Sequence, residues 1–67
     1  MIETGKQTIE AIKEIKRLTN WSNNRVADKT GLSGPTIMRL LAGENEPSLS
    51  TMSIIEAELK RVRKVHG

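Results

Sequence analysis

The stretch RVADKTGLSGPTIMRLLAG, residues 25–43, constrains this chain more than any other. Two short apolar runs flank a turn, with Ala27 in the first run, Gly31 four residues later and Ile37 six beyond that. Two short helices joined by a three- or four-residue turn containing glycine make a helix-turn-helix, and its geometry demands that spacing. Helices that cross steeply bring their backbones close, so the crossing accepts only a small side chain, which Ala27 supplies. The turn needs a positive φ, where Gly31 costs little. Leu32 plugs the corner, and Ile37 anchors the second helix against the first. These demands leave the outer face of the second helix to solvent.

The rest of the chain also carries helical period. Ile9, Ile12, Ile15 and Leu18 recur every three residues with charged residues between them, which predicts a first helix over about residues 5–19. Thr4 and Gln7 offer a capping box, and Asn20, which tolerates left-handed backbone, ends the helix. Ser22 is a natural N-cap for the second helix, NNRVADKT, whose Val26 and Ala27 face inward while Asp28 and Lys29 face water. Because a residue before proline avoids helical backbone, Gly34 is expected to cap the third helix and Pro35 to be its first residue. Ile37, Leu40 and Leu41 form its inward stripe; Pro35, Thr36, Met38, Arg39 and Ala42 face outward, and Gly43 ends it. After the polar loop GENEPS, Ser48 or Ser50 caps a last helix over about residues 48–64, with Leu49, Met52, Ile55, Leu59 and Val62 down its buried side. No strand pattern or repeat interrupts this order. The expected fold is all-α, a compact bundle of four to five helices in a single domain over residues 1–67, with the motif at about 22–43.

A chain of 67 residues is near the lower limit for one core. Trp21 is the only aromatic, expected in the core, so Leu, Ile, Val and Met must do most of the packing. Without cysteine there is no disulfide and no thiolate metal site. No apolar run approaches the ~20 residues that cross a bilayer, and the first residues lack a signal-peptide core. A soluble intracellular protein without a membrane partner is the reading. Paired carboxylates, a Ser/His/Asp set, a phosphate loop and Cys/His metal spacing are all missing, and His66 stands alone. We therefore expect no catalytic residue, metal, cofactor or small-molecule ligand; an enzyme is a distant third reading.

The net charge of +3 is mild, but its distribution is not even. From Glu44 to Glu58 the charges are all acidic; from Lys60 onward Lys60, Arg61, Arg63 and Lys64 are all basic. A second basic set, Lys13, Lys16, Arg17, Arg25, Lys29 and Arg39, spans the first two thirds of the chain. Such a distribution suits a polyanion partner, and the exposed face of a helix-turn-helix is shaped for a DNA major groove.

The stretch SNNRVADKTGLSGPTIMRLLAG, followed by a polar loop, Pro47-Ser48 and the apolar helix TMSIIEAEL, resembles the lambda-repressor-like DNA-binding domains, which include phage Cro and repressor proteins and many bacterial regulators. The likeness spans residues 9–60, and Ala27, Gly31, Ile37, Gly43 and Pro47-Ser48 carry it. It implies that the third helix is a recognition helix. It also implies double-stranded operator DNA as partner, bound by a homodimer in the cytoplasm of a bacterium or a phage-infected host.

The resemblance assigns roles by position. Asn23 stands where the family has Gln, at the start of the second helix, touching a phosphate; Asn24, Arg25 and Ser33 are expected as phosphate contacts with it. Gly34 and Pro35 fall where Gln or Ser often reads bases. Lacking polar side chains, they leave close backbone approach or apolar contact of Pro35 with a thymine methyl. The burden then passes to Arg39, expected to bond guanine O6 and N7, to Met38 on a thymine methyl, and to Thr36, on a phosphate or a base. Lys16 matches a basic position that often pairs with an acid in the third helix; Leu41 stands there instead, which leaves Lys16 free for phosphate. The loop after the third helix holds Glu44 and Glu46 where Lys or Arg is common, so it either points away from DNA or limits non-specific affinity. The basic tail at 60–67 either reaches the DNA backbone or frays, and apolar surface at Leu59, Val62 and Val65 is left for a second subunit. The leading reading is a Cro-like repressor. The alternative is an antitoxin or adaptor on the same fold, favoured by the acidic segment and the missing polar pair at Gly34-Pro35. The initial Met and the basic end suggest a whole small protein.

Overall fold

In the computed structural model, which describes residues 2–66, the chain forms four helices: α1 Gly5–Thr19, α2 Asn23–Thr30, α3 Gly34–Ala42 and α4 Leu49–His66. The two ends of the expected domain, Met1 and Gly67, lie outside the described residues. Every helix starts on a hydroxyl. Thr4 and Gln7 close a reciprocal capping box on α1. Ser22 Oγ accepts the Arg25 N–H at 3.1 Å, Ser33 Oγ the Thr36 N–H at 3.2 Å and Ser48 Oγ the Thr51 N–H at 3.1 Å. Each such cap stabilises its helix by about 1 kcal/mol relative to alanine.

The helix ends are equally explicit. Asn20, at φ 63°, ends α1, and Gly31, at φ 77°, ends α2. The left-handed turn at Gly31 swings the chain so that α3 returns across α2, a conformation that strains any residue with a Cβ. One boundary differs from expectation. Ser33, in extended backbone, caps α3, and Gly34 and Pro35 are its first two residues. The clash that keeps pre-proline residues out of helical backbone acts partly on their Cβ, and Gly34 has none.

α4 lies chiefly against α1, and α2 chiefly against α3. Ile12, Ile15, Val26, Ile37 and Ile55 have no exposed surface, and Ala27, Leu40, Leu59 and Val62 join them in one cluster. Full burial of each large aliphatic chain stabilises by about 1.5–3 kcal/mol. Leu32 and Trp21 are half-buried against this cluster. Leu32 closes the α2–α3 corner, while the Trp21 ring carries the Lys29 ammonium 5.6 Å from its centroid.

Leu49, expected on the buried side of α4, and Ile9, in the apolar series of α1, are not buried. Leu49 is 81% exposed, and Ile9 is only half-buried. At about 100° per residue a series spaced by threes drifts around the helix. Leu49 therefore falls to one side of Met52 while Ile55, Leu59 and Val62 fall to the other. On α1 the stripe is Thr8, Ala11, Ile12 and Ile15. Buried Thr8 is satisfied by donating its hydroxyl proton to the Thr4 carbonyl at 2.9 Å. Leu59 and Val62 are buried within the monomer, so of the apolar surface expected on α4 for a partner only Val65, 72% exposed, remains open. The basic tail continues α4 through His66. The nearly buried Glu58 accepts a hydrogen bond from Arg61 at 3.2 Å.

Candidate nucleic-acid interface

The interface builds from two helix N-termini. On α2 the Ser22 side chain takes the Arg25 N–H and the Ser22 carbonyl takes the Val26 N–H. That leaves the N–H groups of Asn23 and Asn24 without an intrahelical acceptor. On α3 the Thr36 and Ile37 N–H groups are taken by Ser33 and Pro35 has none, so Gly34 alone keeps a free donor. Neither helix carries an acidic residue in its first turn. The positive end of each helix dipole therefore remains available to an external anion, most fully at α2.

Side chains complete this end. Lys16, on α1, donates from Nζ to Asn23 Oδ1 at 2.5 Å. Lys16 is thus engaged, not free as expected, because the Asn23 carboxamide supplies the acceptor that α3 lacks at Leu41. With its oxygen held by Lys16, Asn23 keeps its NH2 group as a donor. Arg25 is exposed in the first turn of α2, with no side-chain partner among the described residues. Ser33 and Thr36 share a hydroxyl–hydroxyl hydrogen bond at 2.7 Å, so each has limited capacity left. Asn24 lies over Gly34: a Cβ there would stand 2.5 Å from Asn24 Oδ1.

The outer face of α3 is open. Pro35, Met38, Arg39 and Ala42 are exposed, Met38 by 60%, and Thr36 is half-buried. Pro35, Met38, Arg39, Ala42 and Glu44 line one shallow groove. The Arg39 guanidinium has no hydrogen bond or ion pair among the described residues. The two loop acids divide. Both carboxylate oxygens of Glu46 come within 3.8 Å of where a Gly5 Cβ would be, which seats Glu46 at the N-terminus of α1; Glu44 stays beside Arg39 without pairing to it.

Charge pairing elsewhere accentuates this face. Glu14 pairs with Arg17 at 2.8 Å, Glu56 with Lys60 at 3.8 Å and Glu58 with Arg61 at 3.2 Å, each within its own helix. The Glu14 carboxyl is held below its ordinary value chiefly by the hydrogen bond from Arg17, which burial opposes and the charges of Arg17 and Arg63 reinforce. Lys29 is drawn to Trp21, which shares a hollow with Val62 and Val65 of α4, apart from the groove on α3.

Of the residues singled out in the sequence, the structure brings together Lys16 with Asn23, Asn24 with Gly34, Ser33 with Thr36, and Pro35, Met38 and Arg39 along one groove. Ala27, Gly31, Leu32 and Ile37 lie behind this surface, in the corner that sets it. The contacts of Asn24 with Gly34 and of Glu46 with α1 had no local signal, since they join residues ten and forty-one positions apart. No group of three or more His, Cys, Asp or Glu is placed to hold a metal among the described residues, and no helix there is long and apolar enough to cross a membrane.

A family model described as helix-turn-helix matches residues 12–63. No curated protein and no solved structure matches the chain.

Proposed function

The chain belongs to the lambda-repressor-like helix-turn-helix family of DNA-binding transcriptional regulators, and on that premise we propose that it is a Cro-like repressor, binding a two-fold symmetric operator as a homodimer with α3 in the major groove. Arg39 supports this reading most: it is exposed, unpaired among the described residues, and shares its groove with Pro35 and Met38. A guanidinium so placed bonds guanine O6 and N7 together, worth about 1–3 kcal/mol of discrimination. Met38 and Pro35 offer apolar contact to thymine methyls, and Thr36 a hydroxyl. The free N–H groups of Asn23 and Asn24, the ammonium of Lys16, Arg25 and the Ser33 hydroxyl take the phosphates, fixing register without reading sequence. Nine residues of α3 reach only a few base pairs. Two copies are needed, on half-sites about 34–36 Å apart.

Selection of bound duplexes from a random pool tests this directly. The expected product is a symmetric consensus whose binding falls steeply with salt, by a slope of about 0.9 for each phosphate neutralised. A footprint without sequence preference at moderate salt would refute it.

One observation favours the second reading, a protein-interaction module such as an antitoxin or adaptor. The groove beside Arg39 is lined by the apolar Pro35, Met38 and Ala42 together with Glu44. On that reading Arg39→Ala abolishes capture of a stoichiometric protein partner and leaves DNA affinity at the wild-type level.

A further inference from the structure

The Asn24 carboxamide is exposed, has no partner among the described residues, and lies against Gly34. A Cβ on Gly34 would stand 2.5 Å from Asn24 Oδ1 and 3.7 Å from Asn24 Cγ, closer to the oxygen than real Cβ atoms come. The end of the Asn24 side chain thus fills the space that a larger residue at position 34 would claim. The first two residues of α3, Gly34 and Pro35, carry no polar side chain. The one amide at the front of α3 therefore comes from α2, ten residues upstream.

A carboxamide offers a donor and an acceptor side by side, the pattern that matches N7 and N6 of adenine in the major groove. We propose that Asn24 is a base-reading residue, its carboxamide seated over Gly34 in place of the missing polar side chain and selecting an A·T pair. This rests on the DNA-binding reading above and departs from the phosphate role expected of Asn24 from its position. The phosphate role at this end falls to Asn23, whose oxygen Lys16 already holds. Arg39 lies five residues along α3 from Gly34, about 7.5 Å at the helical rise. The two readers therefore address different base positions of one half-site.

The test uses Asn24→Ala, Gly34→Ala and the double variant, each put through random-pool selection and competition with duplexes altered one position at a time. Melting of each variant checks that the fold is kept. Wild type is expected to prefer A·T at one position per half-site, distinct from the one governed by Arg39. Asn24→Ala should erase that preference, about 5- to 150-fold, and leave the other positions and the salt slope as they were. Gly34→Ala, by displacing the carboxamide, should relax the same position, and the double variant should go no further than either. Uniform weakening of all duplexes by Asn24→Ala, or full retention of the preference in Gly34→Ala, overturns the inference. A wild type without any sequence preference sinks the DNA reading itself, whereas a preference that survives Asn24→Ala sinks only this assignment.

Discussion

Lys16 of α1 and Asn23 at the start of α2 are tied together by a hydrogen bond from Nζ to Oδ1 at 2.5 Å, and both residues are half-buried. The tie fixes an ammonium and a carboxamide beside the two free N–H groups that open α2, so that one charge and several donors converge where a phosphate would sit. Lys16→Met should weaken binding to all sequences alike and lower the salt slope by about 1, because one phosphate loses its cation. Asn23→Ala should weaken binding with the slope unchanged, since the amide carries no charge. Affinities measured from low to moderate salt on two unrelated duplexes decide it; a loss confined to one duplex would assign Lys16 to a base.

Arg39 offers the opposite signature. Its side chain is exposed and contributes no pairing to the fold, so Arg39→Ala should change unfolding free energy by no more than about 0.5 kcal/mol. The same change should relax one base position in each half-site by about 1–3 kcal/mol. Denaturant unfolding and duplex competition are the two measurements. If the variant unfolds much more readily, Arg39 has a structural role in the fold and is not a free reader of bases.

What could be read from the sequence follows a physical division. Thr4, Ser22, Asn20 and Gly31 act on backbone groups within a few residues of themselves, so the limits of α1 and α2 were legible without a partner element. The corner was legible too, because Ala27, Gly31, Leu32 and Ile37 meet one geometric demand within eleven residues. Leu49 and Ile9 were misplaced because spacing by threes imitates a face that a helix of 3.6 residues per turn cannot sustain. The cap of α3 was misplaced because the rule for residues before proline presumes a side chain that Gly34 lacks. The seats of Asn24 over Gly34 and Glu46 over Gly5, and the hold of Lys16 on Asn23, depend on how helices cross. No local pattern announces them.

The corner itself separates two kinds of cost. Gly31 has open space around it, with nothing within 4 Å of an added Cβ, yet its φ is 77°. Gly31→Ala should therefore destabilise by about 1–2 kcal/mol through backbone conformation alone. Ala27 is 2% exposed on α2, which packs chiefly against α3, so Ala27→Leu overfills the core behind α3 and should cost about 1–3 kcal/mol. Only the second variant displaces α3. Ala27→Leu should lose operator binding under conditions where it remains folded, and Gly31→Ala should retain it. Thermal unfolding followed by binding well below each midpoint separates the two, and equal binding losses would contradict the distinction.

Glu14 and Arg17 make a pH test possible on a single pair. Arg17 donates through Nε and Nη2 to the two carboxylate oxygens at 2.8 and 2.9 Å, and the folded Glu14 carboxyl accordingly titrates below its ordinary value of 4.5. A group whose pKa is depressed on folding contributes stability above its unfolded value and loses it as pH falls through the folded one. The contribution of this pair should therefore be complete above about pH 5 and disappear under acid below 4.5, without affecting stability near neutrality. Arg17→Met removes the hydrogen bond and the nearest positive charge, so the Glu14 titration should move up, because burial, which raises it, then outweighs the remaining pull of Arg63. The carboxyl chemical shift of Glu14 against pH, in wild type and variant, measures this. Both partners are solvent-accessible, so high salt should shrink the difference. A Glu14 midpoint identical in the two proteins would show that the bidentate contact is not maintained in solution.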